Sequence, residues 1–185
     1  MITEIWSYFK KPSYTPYTDL NLQEKGRIFF HILALTVGAS FILGLVMGGI
    51  TSALKIELGA HGVEEMFNTY SVLIIFLIAV ILAPLIEELL FRAPLALFKD
   101  SSYFKVAFYV SVLLFGVVHL SNFELFTEYL WLAPVLVAPQ ISAGIFLGFT
   151  RVKLGLSWAM LLHACHNALL LSPVLIFKIL GKTIE

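Results

Sequence analysis

Residues 71–92 read SVLIIFLIAVILAPLIEELLFR. No Asp, Glu, Lys or Arg occurs from Met66 to Ile86. A bilayer core about 30 Å thick takes roughly 20 apolar residues of helix, so this stretch has the length of a membrane span. The apolar pattern then continues to Phe98 through Glu87, Glu88 and Arg92. An ionisable side chain inside a membrane helix costs about 3 kcal/mol or more, and such residues usually mark function.

Working outward, three further stretches free of those four residue types reach the same length: Ile28 to Ile50, Tyr129 to Thr150 and Leu154 to Phe177. Val106 to Phe123 is shorter but usable. Backbone groups in lipid must be satisfied within the segment, so each is expected to be a helix. The alternation of a membrane barrel strand is missing. The expected fold is all-α: a polytopic transmembrane helix bundle of about five spans, with four to six open because the second segment runs on to Phe98. The expected division is an N-terminal cytoplasmic segment, residues 1–27, and a transmembrane domain, residues 28–185.

Composition agrees. Hydrophobic residues make up 59% and charged residues 13%, with mean hydropathy +0.93. Soluble domains are nearer half and a quarter. The 12 basic and 12 acidic residues cancel, which gives no electrostatic basis for nucleic acid as a partner. Membrane lipid is the expected partner at this level. The single cysteine, Cys165, excludes an intrachain disulfide and a multi-cysteine zinc site. The polar first 27 residues lack a signal peptide's short apolar core and cleavage site, so the first span is expected to stay as an anchor.

With the N-terminus in the cytoplasm, the inner loops hold Lys10, Lys11, Lys25, Arg27, Arg92, Lys99, Lys105, Arg151 and Lys153, and the outer ones Lys55, Lys178 and Lys182. This is the positive-inside bias, and it predicts a multi-pass protein of the cell membrane with a cytoplasmic N-terminus. Gly44-x-x-x-Gly48 and Gly144-x-x-x-Gly148 each place two small residues on one helical face. Close packing within the bundle is expected there, with self-association second.

Three polar clusters interrupt the spans. In the first, Glu88 and Arg92 are four apart and meet on one face, while Glu87 is rotated away without that partner. An unpartnered carboxylate in a low-dielectric setting suits a general base or acid. In the second, His119 closes the apolar run Phe115-Gly-Val-Val-His119. In the third, the spacing in His163-Ala-Cys-His-Asn167 puts His163, His166 and Asn167 on one face and turns Cys165 away. His31 and His61 are expected to be incidental. A carboxylate, imidazoles and an amide from three helices of one bundle suit hydrolysis: a base for water and donors for a developing oxyanion.

The order Glu87-Glu88-x-x-x-Arg92, Phe115-x-x-x-His119, His163-x-x-x-Asn167 resembles the CAAX prenyl protease type II family, also called the CAAX protease and bacteriocin-processing family. The resemblance covers about residues 70 to 172, the peptidase core it implies. It implies an intramembrane endopeptidase in which Glu87 activates water together with His119. His163 and Asn167 would stabilise the oxyanion, and Glu88 and Arg92 would set the geometry around Glu87. His166 is not a position of the motif, and its role stays open. Eukaryotic members cut after a prenylated cysteine. Many prokaryotic members are tied to peptide processing or bacteriocin immunity, so the expected partner is a membrane-associated peptide or protein substrate, lipidated or not.

Two questions stay open at this level. Glu87, His119 and His163 would be the ligands if the site carries zinc, leaving a fourth position for water. Without metal, Glu87 and His119 activate water directly, which is the preferred reading; Asn167 suits an oxyanion donor better than a zinc ligand. Depth is the other question. At about 1.5 Å per residue from the turn at Lys99–Ser102, Glu87 lies about 20 Å along its helix and His119 about 25 Å along the next, against about 12 Å for His163 beyond Lys153. A helix break at Pro94 after Arg92 would level Glu87 with His163 but leave His119 too deep. The alternative function is a non-catalytic binding or bacteriocin-immunity protein, and a small transporter or proton relay comes third.

Overall fold

A computed structural model describes residues 1–181; Lys182 lies outside the described residues. The elements are α1 (Ile2–Lys10), α2 (Leu22–Ala53), α3 (Gly62–Thr69), α4 (Val72–Phe98), α5 (Phe104–Asn122), α6 (Phe126–Leu136), α7 (Ala138–Lys153) and α8 (Leu156–Ile179). Four helices, α2, α4, α5 and α8, are long and apolar enough to cross a membrane. The bent pair α6–α7 makes a fifth span if it counts as one. No strand occurs among the described residues.

Local chemistry sets the boundaries. Asn21 opens α2 by accepting from the Glu24 N–H at 3.0 Å, while the Glu24 carboxylate accepts from the Asn21 N–H at 2.8 Å, so two orphan donors are satisfied reciprocally. The second span begins at Val72, not Met66. Tyr70 is extended (φ −114°, ψ 157°) and Ser71 caps the new helix, which leaves Gly62–Thr69 as the separate α3. Within α4, Pro84 has no N–H and its ring crowds the carbonyl four residues back. The turn before it widens into a π-helix at Leu77–Leu82, where the Ala83 N–H reaches the Ile78 carbonyl. The break expected after Arg92 is a change of helix type: Ala93–Phe98 tightens to 3₁₀ at Pro94. Between α6 and α7 the chain bends by 47° at Val137, just ahead of Pro139.

The central helix is α7. From Ala143 to Val152 every residue except Ile145 is buried, among side chains such as Ile32, Phe108, Phe115 and Leu162. The outer helices turn Phe41, Leu45, Leu73, Leu90, Leu113 and Ile176 outward, as a lipid-facing surface requires. On the basic end, α1 buries Ile5 and Tyr8 in the core. The arm that follows it is tied to α7: Lys153 donates to the Thr15 carbonyl at 2.9 Å, and the Arg151 Nη1 donates to the Tyr14 hydroxyl at 3.4 Å.

The two glycine pairs differ. A Cβ at Gly148 would stand 2.7 Å from the Phe108 ring, and one at Gly144 3.3 Å from the Arg92 Nη2, so this pair serves close packing as expected. A Cβ at Gly44 or Gly48 would meet nothing within 4 Å. The expectation of close packing fails at both positions; Gly44 borders a cavity. Gly148→Ala is expected to destabilise by about 1–3 kcal/mol through overpacking. Gly49→Ala, where nothing lies within 4 Å, should not lower stability. Thermal unfolding in detergent checks both.

Candidate active site

The site is assembled around a buried arginine. Arg92 and Glu88 are each 0% exposed, and Arg92 Nη1 stands 3.6 Å from Glu88 Oε1. The guanidinium lies over the Phe115 ring, 4.0 Å from its centroid, and Arg92 Nη2 donates to the Gly144 carbonyl at 3.4 Å. The bare backbone of Gly144 admits it. The i,i+4 pairing expected for Glu88 is therefore present, as is the separation of Glu87 from Arg92.

His163 of α8 sits between the two carboxylates. Its Nδ1 is 3.1 Å from Glu88 Oε1 and its Nε2 is 3.6 Å from Glu87 Oε2. Glu88, held by Arg92 on one side, is the fixed acceptor for the Nδ1 proton. Glu87 Oε2 and Glu88 Oε2 are both buried without a hydrogen-bond partner among the described residues, but Glu88 Oε1 is shared by Arg92 and His163 while Glu87 faces His163 without a cation beside it. Glu88 is thus the more committed carboxylate and Glu87 the freer.

His119 ends the α-helical part of α5, where the last turn tightens to 3₁₀. Its Nδ1 is 2.6 Å from the Phe115 carbonyl. A carbonyl only accepts, so the proton of neutral His119 is on Nδ1 and its Nε2 holds the lone pair. The depth difference is taken up by Phe115, whose ring centroid lies 5.5 Å from that of His163 and 4.7 Å from that of His119. His119 stands one aromatic ring away from His163 and borders the same cavity.

A second chain of bonds fixes the amide. Pro84 leaves the Ala79 carbonyl without a donor in the π register, and Asn167 Nδ2 fills that place at 2.9 Å. The Asn167 Oδ1 then faces His166 Nδ1 at 3.2 Å, and His166 Nε2 faces the Ser40 hydroxyl at 3.0 Å. With the Asn167 amide oriented by Ala79, each proton has one consistent place: the Ser40 O–H donates to His166, His166 Nδ1–H to Asn167, and Asn167 to Ala79. His166, whose role the sequence left open, holds Asn167 in orientation.

These groups border a cavity of about 280 Å³. His119, His163, His166 and Asn167 line it, together with Ser40, His61 and Gln140. Glu87 does not line it but adjoins it through His163. His61 was expected to be incidental, yet it borders the cavity; His31 bonds only its own helix, at the Arg27 carbonyl. Gln140, whose Oε1 is buried without a partner among the described residues, and Ser40 carried no sequence signal. Cys165 is half-buried and does not line the cavity.

The zinc reading finds two of its ligands at a suitable spacing, Glu87 and His163. As placed, no group of three His, Cys, Asp or Glu side chains among the described residues could hold a metal ion, so His119 does not complete the set.

Fold and site together define a polytopic membrane protein with a buried glutamate–histidine–asparagine centre built from three spans. The chain belongs to the family of type II CAAX prenyl endopeptidases, Rce1-like, whose sequence pattern matches residues 69–169. Membership implies a peptidase. An uncharacterized protein of Mycoplasma capricolum subsp. capricolum is 30% identical over 156 residues, covering 78% of this chain and 43% of that protein. The chain thus spans less than half the length of that relative. No solved structure matches.

Removing one member of a buried ion pair strands the other, at about 3–5 kcal/mol. Glu88→Ala is expected to lose that much stability, and Glu88→Leu combined with Arg92→Met to regain most of it. Unfolding midpoints in detergent measure both.

Proposed function

We propose that the chain is an intramembrane endopeptidase that cleaves a membrane-associated peptide with water activated by Glu87. The observation that carries this is the free Glu87 carboxylate beside His163, while Glu88 is held by Arg92. Water lying between Glu87 and His119 gives a proton to Glu87 and hydrogen-bonds the lone pair on His119 Nε2. Its oxygen attacks the scissile carbonyl carbon. The oxyanion is held by the second amide hydrogen of Asn167. The proton on Glu87 passes to His163 Nε2, which faces it, so that His163 becomes a second donor to the oxyanion. Collapse breaks the C–N bond, and His163 returns the proton to the leaving amine. General-base help of this kind contributes about 10²–10⁴-fold.

A membrane-facing groove of about 420 Å³ between α4 and α5 starts at Leu90 and Phe91, one turn beyond Glu87. It supports a lipidated substrate. The end of the cavity lined by His61 and Asn122 lies at the opposite end of the bundle from Lys10, Lys11, Lys99 and Lys105. With the N-terminus in the cytoplasm, that end faces the other side of the membrane.

The test is a peptide-release assay in detergent, using a quenched peptide with a farnesylated cysteine followed by three residues. Glu87→Gln is expected to lower cleavage by about 10²-fold or more, with normal insertion and no effect of a chelator on the wild type. Undiminished cleavage by Glu87→Gln removes Glu87 from the chemistry. A non-catalytic binding protein would cleave nothing and retain its phenotype in this variant. For topology, Lys11→Cys and Glu57→Cys in a Cys165→Ser background should react with an impermeant thiol reagent on opposite sides of the membrane.

A further inference from the structure

One imidazole in the cavity belongs to none of the three motifs. His61 comes from the segment joining α2 to α3, which folds back onto the turn at residues 123–125. Leu125 N–H donates to the Leu58 carbonyl at 2.9 Å and Glu124 N–H to the Ala60 carbonyl at 3.2 Å, while Ala60 N–H donates to Glu124 Oε2 at 3.0 Å. His61 itself forms a backbone bridge with Phe123 and stands edge-on to its ring, with centroids 5.0 Å apart. The turn just beyond His119 therefore sets the position of His61, and both imidazoles border one cavity.

The hydrogen bonds assign its proton. His61 Nδ1 accepts from the Val63 N–H at 3.2 Å and so caps α3. A neutral imidazole that accepts at Nδ1 carries its proton on Nε2, and the side-chain hydrogen bond His61 makes among the described residues is through Nδ1. Burial lowers the pKa of His61 against the opposing pull of Glu64, which keeps the ring neutral. His119 is its complement, with Nδ1 committed as a donor and a lone pair on Nε2. One cavity thus holds an imidazole acceptor and an imidazole donor, fixed by neighbouring backbone.

We propose that His61 is a substrate-binding residue whose Nε2–H donates to a backbone carbonyl of the peptide entering the cavity. The ligand class is an extended peptide, whose carbonyls need donors once they leave water. This rests on the peptidase reading and adds a contact outside the family's three motifs.

His61→Asn separates the roles, because an asparagine side chain still caps α3 but places no donor where Nε2 stood. With the quenched farnesylated peptide, this variant is expected to raise KM up to about tenfold, the worth of one neutral hydrogen bond, with kcat changed less. A KM within twofold of wild type overturns the inference. A measurement on the wild type stands beside it. Diethyl pyrocarbonate modification of His61, read by mass spectrometry, should slow when a non-cleavable analogue of that peptide is added, and an unchanged rate counts against the contact. The two readings fail differently. Normal cleavage with His61 unshielded sinks this inference alone. A wild-type chain that cuts nothing while the analogue shields His61 sinks the hydrolase and supports the contact.

Discussion

A guanidinium with no access to solvent is the constraint around which this bundle is organised. Taking an ion out of water costs several kcal/mol even after relaxation, and only good geometry and further hydrogen bonds offset it. Arg92 answers that demand in part, with groups from four helices: Glu88 of its own helix α4, the Phe115 ring of α5, the Gly144 carbonyl of α7, and His163 of α8 through Glu88; its Nε and Nη1 make no hydrogen bond among the described residues. Several sequence features follow. A Cβ at residue 144 would crowd the guanidinium at 3.3 Å, the ring of residue 115 lies 4.0 Å from it, and the acid at residue 88 pairs with it. The charge that the family resemblance assigns to site geometry here also clamps the helices, and it pairs with Glu88 rather than Glu87.

The second organising device is a proline. Pro84 widens the turn before it and removes one backbone donor, and the amide of Asn167 takes that donor's place. The polar line from Ser40 through His166 to Asn167 thereby ties α2 and α8 to the deformed stretch of α4. A π-turn in a membrane helix leaves a carbonyl that some side chain must satisfy. The side chain that does so is the one the proposed chemistry also needs in a fixed orientation.

Much of this was legible in the chain. Span count followed from uninterrupted apolar length, and the Glu88–Arg92 pairing from spacing within one helix. What depended on contacts between distant segments was hidden. His61 sits in a polar loop, and nothing local shows that the loop folds back onto residues 123–125. Ser40 reads as a small residue in a long span, and Gln140 as a polar residue beside a proline. The glycine pair at 44 and 48 has the same pattern as that at 144 and 148, yet only the second meets neighbours, because spacing specifies a face and not what stands opposite it. That Phe115 fills the gap between His119 and His163 is invisible to counting along straight helices.

The amino-terminal arm has a mechanical meaning. Arg151 donates from Nε to the Arg92 carbonyl at 3.2 Å and from Nη1 to the Tyr14 hydroxyl. A single side chain is thus the shared fastener between the arm and the deepest charge of the bundle. Tyr14 in that arm is therefore two hydrogen bonds away from the backbone of the residue that pairs with Glu88.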